Sequence, residues 1–139
     1  MQRFIAGFVF SSAVSVVMLA NVACASAGPS EATPASVAPD GAQQVTISVS
    51  NAMRFEPAAI RVRAGQPLEL TLRNRDQSAH DLTLNEGAAQ PIKLAVNGGE
   101  TTSRTLTFDR PGTYTFECSI PGHALAGMRG TITVDESDR

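Results

Sequence analysis

Apolar and polar side chains alternate with a two-residue period along most of the chain from Val45 onward. Val45, Ile47 and Val49 alternate with Thr46, Ser48 and Ser50; Ile60 and Val62 alternate with Arg61 and Arg63. Leu68, Leu70 and Leu72 alternate with Glu69, Thr71 and Arg73, and shorter runs follow at Leu82/Leu84, Leu106/Phe108, Tyr114/Phe116 and Ile132/Val134. Successive strand residues point to opposite faces, so each run predicts a strand with one face in a core and the other in water. Turn formers punctuate the runs at Ala64-Gly65, 74–78, Asn97-Gly98-Gly99 and Arg110-Pro111-Gly112. About seven to eight short strands in roughly 90 residues predict an all-β, antiparallel sandwich. Residues 85–99 alternate weakly and are expected to form a loop with one short edge strand near 93–96. No helix longer than a turn is expected.

The first 27 residues follow another pattern. Arg3 precedes a largely apolar run from Phe4 to Ala20, and Ala23-Cys24-Ala25-Ser26-Ala27 then offers small-residue cleavage sites after Ala25 or Ala27. A charged start, an apolar middle and a small-residue exit predict a secretory signal peptide. The run is 17 residues long and diluted by Ser11, Ser12 and Ser15, short of the roughly 20 that a spanning helix needs. The expected location is therefore periplasmic or secreted. Two alternatives stay open: an uncleaved membrane anchor, and a lipidated Cys24, for which the usual Leu is replaced by Asn21. Residues 28–43 are rich in Pro, Ala and Ser without apolar periodicity, which predicts a disordered linker. The folded domain is expected over 44–135, followed by a tail at 136–139.

Composition narrows the function. The chain has 139 residues, 13 acidic and 11 basic side chains and a net charge of -2, so it lacks the basic excess of a nucleic-acid binder. Only two histidines are present, which excludes enzymes built on multi-histidine metal clusters. Removal of the leader leaves one cysteine, Cys118, and two methionines, Met53 and Met128. An exported chain with one unpaired thiol needs a reason for it.

The segment from Cys118 to Met128 supplies that reason. Cys118, His123 and Met128 stand at five-residue steps, and His80 lies upstream on another expected strand. Cys118 is in phase with Tyr114 and Phe116, and His80 with Leu82 and Leu84, so both should point inward from strand ends. A lone buried cysteine is usually a small hydrophobe and a lone methionine a core filler; Met53 is read that way. A thiolate, two imidazoles and a weak thioether together are the donor set of a blue-copper electron-transfer site.

Residues 45–134 resemble the cupredoxins of the plastocyanin/azurin superfamily, most closely auracyanin-like members with a C-x4-H-x4-M loop. The likeness rests on Phe55-x-Pro57, the strand and turn from Ile60 to Gly65, the segment from Asn74 through His80-Asp81, Gly112-x-Tyr114-x-Phe116-x-Cys118, and Gly130 to Val134. It implies a Greek-key sandwich and one copper ion per chain, with His80, Cys118, His123 and Met128 as its ligands. Many cupredoxins have Asn directly after the first histidine, linking the ligand loops; here Asp81 stands there. As a carboxylate it accepts hydrogen bonds but cannot donate one.

The expected function is a mononuclear type 1 copper electron carrier outside the cytoplasm, not an enzyme. The alternative is a periplasmic copper shuttle or store. A redox protein is the expected partner, docking at the uncharged loop around His123. No nucleic-acid partner is expected, a membrane only through a retained or lipidated N-terminus, and the chain is expected to be a monomer.

Overall fold

The computed structural model describes residues 31–137 except Asn51 and Ala89. The leader, Cys24 and the first residues of the linker lie outside the described residues, as do the last two residues of the tail. The strands are β1 (Thr33–Pro34), β2 (Ser36–Val37), β3 (Gln43–Ser50), β4 (Arg54–Glu56), β5 (Ala59–Arg63), β6 (Leu68–Asn74), β7 (His80–Leu84), β8 (Ile92–Val96), β9 (Thr101–Leu106), β10 (Gly112–Glu117) and β11 (Arg129–Asp135). One sheet runs β1-β5-β11-β10-β7-β8; the other runs β2-β3-β6-β9, with β4 also paired to β3. No helix among the described residues is long and apolar enough to cross a membrane.

The inward phases read from the sequence form the core. Ile60, Val62, Phe116, Leu82, Leu84, Ile132 and Val134 of one sheet, and Val45, Ile47, Val49, Leu68, Leu70 and Leu72 of the other, are all buried. Phe55 meets Phe116 edge-on with ring centroids 5.1 Å apart, joining the sheets beneath the end that carries Cys118. The expected edge strand is present as β8, paired antiparallel with β7 from Leu84↔Ile92 to His80↔Val96.

Three expectations need correction. Met53, read as a core filler, is exposed in the turn between β3 and β4. The sandwich is mixed rather than wholly antiparallel: β3 pairs parallel with β6, and β5 pairs parallel with β11 and with β1. Alternation has the same period in either orientation, so a strand's own residues do not record its neighbour's direction. The linker is also not a free tether where it is described. Thr33 and Pro34 pair with Ile60 and Arg61, and Ser36 and Val37 pair with Gln44 and Gln43, so the segment passes from one sheet to the other. Proline is tolerated there because an edge strand leaves one row of groups unpaired. The Ala35 amide donates to the Arg61 carbonyl at 2.9 Å, and buried Gln43 bonds both backbone groups of Arg63.

Candidate metal centre

Three strand ends deliver the functional side chains to one end of the sandwich. His80 opens β7, Cys118 follows the last residue of β10, and Met128 precedes the first residue of β11. Phe116 pairs with Gly130, and Glu117 with Arg129, so the ladder brings both ends of the ligand loop side by side. As its parity required, Cys118 is buried; His80 and Met128 are buried too, and His123 is half-buried.

The loop holds its own geometry through backbone hydrogen bonds. The Cys118 amide donates to the Met128 carbonyl at 3.1 Å, and the Met128 amide donates to the His123 carbonyl at 3.0 Å. The three residues that sequence analysis singled out in the loop are thus tied directly to one another. Between them, the His123 amide donates to Ile120 and the Ala126 amide to Gly122. Gly122 and Gly127 have φ of 88° and 98°, a region that L-residues with a Cβ rarely enter.

His80, Cys118 and His123 each offer a ligand atom within 4.8 Å of the other two. Cys118 Sγ lies 3.5 Å from His123 Nδ1, and the two imidazole centroids are 5.1 Å apart. Bonds of about 2.0–2.3 Å to nitrogen and sulfur let donors of one small ion stand roughly 4 Å apart, close to this spacing. His80 Nε2 is 3.0 Å from Asp76 Oδ2, and a carboxylate only accepts, so Nε2 carries the ring hydrogen. That leaves Nδ1 bare, and it is buried without a partner. A buried polar atom left unmade costs about 1–3 kcal/mol, and a bound cation removes that cost. Thiolate and imidazole in this arrangement suit copper. The residues present fit one copper ion.

Asp81 resolves the departure noted in the sequence. It is buried, and its Oδ1 accepts from the Ser119 amide at 2.7 Å and from the Thr83 hydroxyl at 3.1 Å. Oδ2 accepts from the Ser119 hydroxyl at 2.7 Å and faces Lys93 Nζ at 3.4 Å. The carboxylate therefore ties β7 to the ligand loop by accepting through both oxygens, with donors facing each of them. Burial pushes its carboxyl up, but the bonds from Ser119, Thr83 and Lys93 outweigh burial and hold it below the ordinary 3.8. A carboxylate depressed in the folded state contributes stability that is present above its unfolded value and is lost as pH falls through its lower folded value. Asp81→Ala should therefore cost the metal-free protein about 2 kcal/mol at pH 7, since hydrogen bonds to a charged group are at stake. The gap between variant and wild type should narrow below pH 3.8. Urea unfolding at pH 7 and pH 3 reads both; an unchanged gap would mean that the charge is not what the fold uses.

Sequence reasoning did not single out Asp76, Lys93 or Ser119. Ser119 was legible in part, since an aspartate placed where an amide is usual needs a donor opposite it. Asp76 had only its spacing of four residues from His80, in a loop whose conformation the pattern does not specify.

A family model described as a cupredoxin-like domain matches residues 13–134. The copper-resistant cuproprotein CopI of Rubrivivax gelatinosus is 30% identical over 107 residues, 65% of this chain and 65% of that protein. The chain thus spans just under two thirds of that relative. Auracyanin-B of Chloroflexus aurantiacus is 54% identical over 39 residues, 28% of this chain and 17% of it. A solved auracyanin B structure superposes with a TM-score of 0.58 at 25% identity, covering 66% of this chain and 88% of that one. The metal-binding domain of the Cu(I)-exporting ATPase CopA of Streptococcus pneumoniae D39, at 24% identity, shares the fold with a TM-score of 0.64 over 78% of this chain and all of that domain. Mixed β-sandwich, copper-fitting donor set and a family match over most of the chain agree: the protein belongs to the cupredoxin-like family.

Proposed function

We propose that this protein is a mononuclear type 1 copper electron carrier working outside the cytoplasm, in which His80, Cys118, His123 and Met128 would hold the ion. One observation carries the reading. A buried thiol and two imidazoles, one with an orphaned Nδ1, converge on a loop whose backbone bonds also hold the buried Met128. Bound copper supplies a one-electron Cu(I)/Cu(II) couple at such a site. The chain's own contribution is rigidity: the ladder, the loop bonds and Asp81 keep the donors in place whichever charge the site carries. Both histidines of the chain are used here, which leaves none for a second histidine-bound copper centre and favours a carrier over an oxidase. The leader pattern of residues 1–27 supports export.

His123 is half-buried at the surface of the loop, beside Leu125, which is 89% exposed. An uncharged rim at a ligand edge suits brief docking of a redox protein, because weak electron-transfer encounters bury less than about 1,200 Å². Leu125→Asp should slow electron exchange with a protein partner at least several-fold, while the optical spectrum and reduction potential stay as in wild type. Stopped-flow kinetics with the partner check this; unchanged rates would place docking elsewhere.

A second reading is favoured by the relative whose name records copper resistance: the chain holds or passes copper rather than electrons. Repeated reduction and oxidation in the presence of a copper chelator separates the two. A carrier retains its one copper through the cycles; a shuttle surrenders it in one of the two states.

A further inference from the structure

Asp76 lies outside the donor set, yet it makes the contact that decides what His80 can do. Its Oδ2 takes the hydrogen of His80 Nε2 at 3.0 Å, in a pair whose side chains are only 1% exposed at His80 and 13% at Asp76. Its Oδ1 accepts from the amides of Gln77 and Ser78. Every neighbour of the carboxylate is therefore a donor. The hydrogen bond from His80, with those of the Ser78 and Gln77 amides, holds the carboxyl below its ordinary value.

The loop that carries Asp76 is gripped from both sides. Buried Asn74 accepts the Asp76 amide at 2.9 Å and donates to the carbonyls of Ser78 at 2.7 Å and Asn97 at 3.0 Å. The Gly99 amide donates to the Asp76 carbonyl at 3.0 Å. Gly98 packs so closely that a Cβ there would run into the Gln77 backbone. The Asp81 carboxylate has Lys93 opposite it at 3.4 Å, whereas Asp76 holds the neutral His80 ring through a hydrogen bond.

We propose that Asp76 is a positioning residue for the metal centre: it locks His80 in the tautomer that presents a bare Nδ1 to the ion, and its negative charge favours Cu(II) over Cu(I). This rests on His80 being a copper ligand. Outer carboxylates on ligating imidazoles fix the ring and raise its basicity. A purely structural role, in which Asp76 only shapes the 74–78 turn, makes a different prediction, and the amide variant separates them.

In Asp76→Asn, the side-chain oxygen can still serve Gln77 and Ser78, which turns its NH₂ toward His80 Nε2. The ring must then accept at Nε2 and carry its hydrogen on Nδ1, the nitrogen that faces the site. Asp76→Asn should thus unfold later than Asp76→Ala but bind copper no better.

Two measurements test this. Nitrogen-15 NMR of the metal-free proteins reads the His80 tautomer: wholly Nε2–H in wild type, substantially Nδ1–H in Asp76→Asn, and mixed in Asp76→Ala. Copper titration and voltammetry should then show Cu(II) affinity lowered about 10- to 100-fold in both variants, the usual cost of losing such a partner. Cu(I) affinity should fall less. A tenfold fall in the Cu(II):Cu(I) affinity ratio raises the potential by about 59 mV. Wild-type tautomer and wild-type potential in Asp76→Asn would overturn the proposal, as would copper affinity that tracks stability across the two variants. The tautomer is read without copper, so it tests Asp76 even if the wild-type protein shows no type 1 spectrum. That outcome would sink the functional reading instead.

Discussion

Cys118→Ala should abolish the intense visible absorption of the copper(II) protein and leave a folded sandwich. Cys118 is the free cysteine among the described residues, and it is buried beside His123. Imidazole and thioether donors give copper(II) only weak visible bands, whereas a thiolate supplies intense charge transfer, so one atom carries the whole signal. The fold does not depend on that atom, because the strand ahead of it is held by the β10–β11 ladder and by buried Phe116. Removal of a small sulfur from the core should cost about 1 kcal/mol. Absorption spectra of the copper-loaded variant check the first half, and circular dichroism of the metal-free variant the second. An intense band surviving in Cys118→Ala would make Cys118 a core residue only.

Gly130→Ala should be severely damaging for the addition of a single methyl. A Cβ at this position would fall well inside contact distance of the Phe116 ring and of the Ala58 carbonyl oxygen. The ring is wedged against Phe55, and the carbonyl is engaged by the Thr131 amide at 2.8 Å. Neither can retreat without moving β5 or β10. Overpacking of a rigid core costs roughly 1–3 kcal/mol, occasionally more, and about 3 kcal/mol is expected here. The consequence reaches the metal centre, since Gly130 is opposite Phe116 in the ladder, two residues from Met128 and across from the approach to Cys118. Denaturant unfolding of the metal-free variant should show the loss, and copper affinity should fall with it. Wild-type stability would mean that β11 can shift freely relative to β5, contrary to the packing described.

Cys118→Ala acts where the sequence was most readable. The spacing of Cys118, His123 and Met128 survives any uncertainty in strand boundaries, because it is a count along one loop. The inward phase of Cys118 follows from Phe116 two residues before it, and burial agrees. Strand faces were legible for the same reason: at Ile47, Leu70 or Ile132 the two-residue period reports burial directly. Strand partners were not. Val45 faces Leu70 in parallel and Ile60 faces Ile132 in parallel, and neither pairing leaves a mark in the residues themselves. The stretch around Thr33–Val37 reads as linker because its pairing relies on backbone groups that every residue has, not on side chains. Asp76 stayed hidden because a turn, not a periodicity, aims it at His80.

In the proposed type 1 centre one copper ion would be held between Cys118, His80 and His123. The most direct test is the absorption spectrum of the oxidised copper-loaded protein, recorded with its electron paramagnetic resonance and copper content. A type 1 assignment requires one copper per chain, an intense thiolate-to-copper(II) band in the visible and an unusually narrow copper hyperfine splitting. One bound copper with only weak visible absorption and a wide splitting would contradict it, because the thiolate would then lie outside the coordination sphere.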